Sequence, residues 1–268
     1  MENQITANFR LVSDRVAHAA RAHNRHVRLV AVSKTKPTTA VMAAYKAGAR
    51  HFGENYIQEL VAKANDPLIR DNCSDIKWHF IGRLQTNKVN TLVKTPGLWA
   101  VETVTSEKLA NTLNSSLAKL EEGDTASKLN VMIQVNTSGE EQKGGAEESE
   151  VPQLVRHIQS NCPRLNFFGL MTIGLADVPP NAENPDFRRL VECRKKLADL
   201  LGLDAAGVEL SMGMSADYEQ AIAQGSTSVR VGSTIFGSRE YPAAPRKDGA
   251  AGAGSDSTTS PTSATPDA

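Results

Sequence analysis

Lys34 directly follows the apolar run Leu29-Val30-Ala31-Val32-Ser33. The carboxyl ends of strands are where α/β barrels place their active sites, so a lysine there points into the barrel mouth. Desolvation lowers a lysine's pKa and leaves a neutral amine able to attack an aldehyde and form a Schiff base. The plainer reading is a solvent-facing loop lysine, of which Lys36 is an example. The lysine by itself does not separate the two.

The separating signal lies far along the chain. Ser211-Met212-Gly213-Met214-Ser215 and Gly232-Ser233-Thr234 follow the seventh and eighth β-rich runs. Barrels often bind phosphate after these two strands, because small residues let backbone N–H groups approach an anion. Ser211, Gly213, Ser215, Gly232 and Ser233 are therefore candidate binding residues, with Ser215 expected to N-cap a helix that ends at Gly225. Each segment alone reads as an ordinary turn, so the pairing at two adjacent strand ends carries the argument.

Arg230 sits between Val229 and Val231, where a permanent charge needs a partner. Two readings are open: a structural pair with a buried carboxylate, or a contact with the ring nitrogen of a cofactor flanked by Lys34 and the phosphate loops. Asn55 ends Phe52-Gly53-Glu54-Asn55 and is placed to touch a ligand at the mouth. His79, inside Trp78-His79-Phe80-Ile81-Gly82, reads first as a hydrogen-bonded core residue. The histidines show no metal-ligand spacing, His23 and His26 read as solvated, and no metal is expected.

The elements that must hold these residues alternate short β-rich runs with helical patterns. Eight strands are expected, at Arg28–Ser33, Arg50–Glu54, Trp78–Arg83, Leu98–Glu102, Leu129–Val135, Leu165–Ile173, Val208–Ser211 and Ser228–Gly232. They predict an α/β fold, a single (β/α)8 barrel with an extra N-terminal helix. Asn184-Pro185 reads as an N-cap and first turn, with Phe187, Leu190, Val191, Leu197 and Leu201 on one buried face until Gly202. Leu109, Leu113, Leu117 and Leu120 mark another such stripe.

Ile5, Phe9, Val12, Val16 and Ala19 recur at helical spacing near the N-terminus. The same segment is arginine-rich and acid-poor, so a mitochondrial targeting helix stands as the alternative to a packed one. From Ala243 the composition turns to Ala, Gly, Ser, Thr, Pro and Asp, which predicts a folded domain over 1–242 and a disordered tail over 243–268.

Thirty basic and thirty acidic residues among 268 cancel, so no nucleic-acid or anionic-membrane partner is expected and any anion must be held locally. Cys73, Cys162 and Cys193 are too few and too far apart for a disulfide framework. No apolar run has the length of a membrane span, and a cytoplasmic monomer is expected.

The blocks Ala31-Val32-Ser33-Lys34-Thr35-Lys36-Pro37, Phe52-Gly53-Glu54-Asn55-Tyr56, Trp78 to Lys88, Leu210 to Ser215 and Val229 to Ser233 resemble, in order and spacing, the pyridoxal phosphate homeostasis proteins. The resemblance covers the chain from the first helix to Tyr241. It implies a barrel related to the N-terminal domain of alanine racemases, with pyridoxal 5′-phosphate on Lys34 as a Schiff base and Arg230 facing the pyridine nitrogen. An arginine there opposes ring protonation and weakens the cofactor as an electron sink, which suits a carrier better than an enzyme. Gln142, where many relatives have a small polar residue, and the Gly144-Gly145 pair depart from the pattern and bear on the loop.

Three functions compete. The first is a non-catalytic protein that stores pyridoxal phosphate or delivers it to apo-enzymes. The second is a racemase or decarboxylase using the same cofactor; related racemases take a tyrosine from a following β-domain, for which this sequence leaves no room. The third is a cofactor-free aldolase using Lys34, with the two loops holding a sugar phosphate.

Overall fold

Eight short parallel strands hydrogen-bond in chain order and close on themselves: β1 (Arg28–Val32), β2 (His51–Glu54), β3 (Lys77–Phe80), β4 (Leu98–Val104), β5 (Leu129–Gln134), β6 (Leu165–Met171), β7 (Glu209–Ser211) and β8 (Ser228–Val231). β8 returns to β1 through the pairs Leu29 with Val229 and Ala31 with Val231, which removes both sheet edges. The computed structural model describes residues 2–120, 128–175, 178–179 and 182–238. The expected segment 243–268 lies outside them.

All eight expected strands are present, with ends displaced by up to three residues. β3 stops at Phe80 and not at Arg83, and beyond it the chain passes tightly over β2. A Cβ on Gly82 would lie 2.0 Å from the Asn55 carbonyl oxygen, so only glycine fits there. That contact also pins the backbone of Asn55 at the barrel mouth.

The helices pack outside the barrel, and the main apolar core lies between the two layers. The helix Pro185–Leu201 is capped as its sequence demands: Asn184 accepts from the Asp186 N–H, and Gly202 closes it with φ 65°. The N-terminal helix Glu2–Ala22 buries Ile5, Phe9, Val12, Val16 and Ala20. It lies against the helices Thr38–Lys46, Tyr218–Gln224 and Ser233–Phe236, which flank the β8–β1 join, so it seals the closure of the barrel. At about 1.5–3 kcal/mol for each large side chain, this burial makes the helix part of the fold. Among the described residues no helix is long and apolar enough to cross a membrane.

Candidate functional site

Strand alternation decides which side chains enter the barrel. Register pairs Val30 with Arg230, Gly53 with His79, and Met171 with Ser211, and these six face inward. Ser33 lies one residue beyond inward-facing Val32 and turns outward, where its hydroxyl donates to Glu54 Oε1 at 2.7 Å. The next residue, Lys34, turns back in. It lines a cleft of about 500 Å³ at the carboxyl ends of the strands.

Six of the eight expected site residues meet in this cleft: Lys34, Asn55, Ser215, Arg230, Gly232 and Ser233. Asn55 brings a buried carboxamide oxygen that has no hydrogen-bond partner among the described residues. Apolar walls come from Val32, Ile81, Met171, Ile173, Met214 and Phe236. Ser211 and Gly213 do not line it. Ser211 is fully buried beneath Arg230, and Gly213, at φ 94°, is a packing glycine whose added Cβ would stand 2.5 Å from that of Ala221. Its carbonyl accepts the Arg230 N–H at 3.0 Å.

Ser215 is not a helix N-cap. The helix before Gly225 runs from Tyr218 to Gln224 behind Asp217, and the Ser215 hydroxyl instead accepts from the Gly232 N–H at 3.1 Å. The serine thus ties the loop after β7 to the loop after β8, bringing the two anion-binding candidates together by a crosslink. Lys36 also departs from expectation. It is half-buried, lines the same cleft, and donates from Nζ to the Ser238 carbonyl at 2.8 Å.

The floor of the cleft is a polar chain through the barrel interior. Arg230 donates to Ser211 Oγ at 2.7 Å and to the Thr172 carbonyl at 2.8 Å. Ser211 donates to Glu102 Oε2 at 2.6 Å, and the other carboxylate oxygen meets His79 Nδ1 at 2.5 Å. His79 Nε2 reaches His51 Nδ1 at 2.8 Å. Burial pushes the Arg230 guanidinium below its usual range, and Glu102 works against that shift. Arg230 lines the cleft and has the buried carboxylate of Glu102 behind it, joined through the Ser211 hydroxyl. His79 is the hydrogen-bonded core histidine its sequence suggested, and no metal-binding cluster occurs among the described residues.

Residues 3–240 match the model of the alanine racemase N-terminal domain. The pyridoxal phosphate homeostasis protein of Mus musculus is 50% identical over 246 residues, 90% of this chain and 89% of the relative. That of Haemophilus influenzae is 38% identical over 88% of this chain and 97% of its own. This chain belongs to the pyridoxal phosphate homeostasis protein family. Among solved structures, PipY of Synechococcus elongatus with PLP bound is similar, with a TM-score of 0.67 and 30% identity over 83% of this chain and all of that one. Alanine racemase of Corynebacterium glutamicum shares the fold, with a TM-score of 0.65 at 15% identity, and the match covers 62% of its length.

In this member of the homeostasis family the turn after Lys34 is held from the outer layer. Lys63 is buried, and its Nζ donates to the Ser33 carbonyl and to Glu54 Oε1, both at 2.7 Å. Burial pushes the Glu54 carboxyl up, and the Lys63 charge opposes that. Glu102, Thr172 and Lys63 were not singled out from the sequence. The signal available was a charge inside each of two apolar runs, Val101-Glu102-Thr103-Val104 and Leu60-Val61-Ala62-Lys63-Ala64.

Proposed function

We propose that this chain binds pyridoxal 5′-phosphate covalently through Lys34 and serves in its homeostasis as a carrier without turnover, delivering it to apo-enzymes. The observation that carries the reading is that Lys34 and Arg230, 196 positions apart in sequence, open on one apolar-walled cleft bordered by the Ser215-linked loops. An amine, a guanidinium, an Asn55 carboxamide oxygen without a partner among the described residues and a pair of hydroxyl-bearing loops fit a phosphorylated aromatic aldehyde. The cofactor supplies an aldehyde for the amine and a ring able to take up electrons.

The residues of the chain do the rest. The Ser215 and Ser233 hydroxyls hold the phosphate, Gly232 lets the backbone come close while its N–H fixes Ser215, Asn55 meets a polar substituent of the ring, and Lys34 makes the covalent bond. Arg230 is fixed by Ser211 and Thr172, so its charge stays on the cleft floor and opposes protonation of the ring nitrogen. That lowers the cofactor's electron-withdrawing power and favours carriage over racemase or decarboxylase chemistry. Residues 1–242 form the unit that does this.

The test is the purified protein loaded with pyridoxal phosphate. It should be yellow, and borohydride should remove the visible band and leave the added mass on the peptide containing Lys34. Lys34→Ala should have no reducible band. A normal band in that variant would place the bond elsewhere, and turnover of any amino acid in a broad panel would replace the carrier with an enzyme. Loading with a sugar phosphate alone, and no visible band, would favour the aldolase.

A further inference from the structure

Glu102 lies inside the barrel at 0% exposure and does not line the cleft. Barrels of this type fill their interior layers with branched aliphatics, and a carboxylate there carries a large desolvation cost. Every neighbour that touches it donates: His79 from β3, and Ser211 from β7, whose hydroxyl in turn accepts from Arg230 on β8. An ionised carboxylate only accepts, so the His79 proton facing it sits on Nδ1. Burial pushes the Glu102 carboxyl up, but the His79 hydrogen bond and charge, the Arg230 charge and the Ser211 hydroxyl together hold it below the usual range.

The surroundings leave Glu102 as the principal counter-charge of Arg230. On the far side of His79 stands His51, with Arg28 and Lys77 near it; the charge of Asp217 also reaches Arg230, but burial pushes that carboxyl up. We propose that Glu102 is the counter-ion that sets the charge Arg230 presents to the cofactor ring, a positioning residue acting through Ser211. The inference rests on pyridoxal phosphate being held at Lys34. Without the carboxylate the guanidinium meets the ring uncompensated, and protons on the linkage between lysine and cofactor are released at lower pH.

The experiment is a pH titration of the visible band in loaded wild type, Glu102→Gln and Glu102→Asp, with melting curves as a folding control. Glu102→Gln should lower the midpoint by about one pH unit, from the Coulomb energy of one charge across the floor of the site. Glu102→Asp keeps the charge and should restore the midpoint even where its melting temperature drops. An unchanged midpoint in Glu102→Gln, or an equal shift in both variants, makes Glu102 structural only and overturns the proposal. So does a wild-type band indifferent to pH. If Glu102→Gln fails to fold, Ser211→Ala removes only the bridging hydroxyl and should shift the midpoint the same way by a smaller amount; no shift there overturns the proposal equally. Failure of the cofactor reading has a different signature, since wild type would then carry no borohydride-trapped mass on Lys34, and the inference would fall with it.

Discussion

The backbone N–H of Thr35 donates to Glu59 Oε2 at 2.7 Å while Thr35 holds φ at 63°, a left-handed conformation that a β-branched residue adopts at a cost. The bond lies one residue after Lys34, and Glu59 is itself anchored by Lys63 at 3.4 Å. Glu59→Ala should destabilise the protein by about 1.5–3 kcal/mol at most in urea denaturation, the value of a hydrogen bond to a charged group, and should slow covalent attachment at Lys34 in stopped-flow absorbance. Thr35→Gly should stay within about 1 kcal/mol of wild type, because relief of strain offsets the extra chain entropy. A large loss in Thr35→Gly would mean that the threonine side chain, not its backbone, holds the turn.

Replacing Arg230 by glutamate would set a second carboxylate against the Ser211–Glu102 pair. Like charges in a buried site raise a carboxyl pKa in the folded state, so the linked penalty grows as pH rises through and above the unfolded value of about 4.3. Arg230→Glu should therefore be more stable at pH 4 than at pH 8 relative to wild type, with a loss of about 3–5 kcal/mol at the higher pH. Arg230→Gln adds no carboxylate but removes the charge that helps hold Glu102 low, so it should show the same dependence in weaker form. Equal melting-temperature deficits across the range would show that the new carboxylate does not reach Glu102.

His51 is lowered to about 3 by burial, then by the charges of His79, Arg28 and Lys77. Between about 6.5 and 3 the unfolded chain binds the proton that the folded chain refuses, so this contribution is present above pH 6.5 and is lost as pH falls towards 3. With allowance for its partial exposure, the effect should be on the order of 2 kcal/mol. In His51→Gln the decline of melting temperature over this window should flatten. An unaltered slope would assign acid sensitivity to other groups.

Ending the chain after Pro242 should leave the melting temperature and cofactor occupancy at wild-type values. The removed segment, Ala243 to Ala268, has almost no large apolar residue with which to offset the entropy of ordering. A drop in either measurement would show that these residues contribute to the domain.

What the sequence determined by itself is what depends on near neighbours in the chain. Asn184-Pro185 and Gly202 bound a helix because caps and left-handed closure are local chemistry, and the eight β-rich runs became strands because period-two packing is written within a few residues. Lys34 at the end of β1 was legible for the same reason, as were the small residues after β7 and β8. Tertiary structure alone decided which of these meet. Ser215 reads as a cap because serines before helices usually are, yet closure of the barrel brings Gly232 beside it and the hydroxyl turns there. Arg230 and Glu102 lie 128 positions apart, and only the parity of β4 and β8 across a closed barrel sends both into the same interior. Short-range periodicity specifies a face, but which buried charge finds which partner is set by barrel closure, where an unpaired charge costs more than almost any local preference.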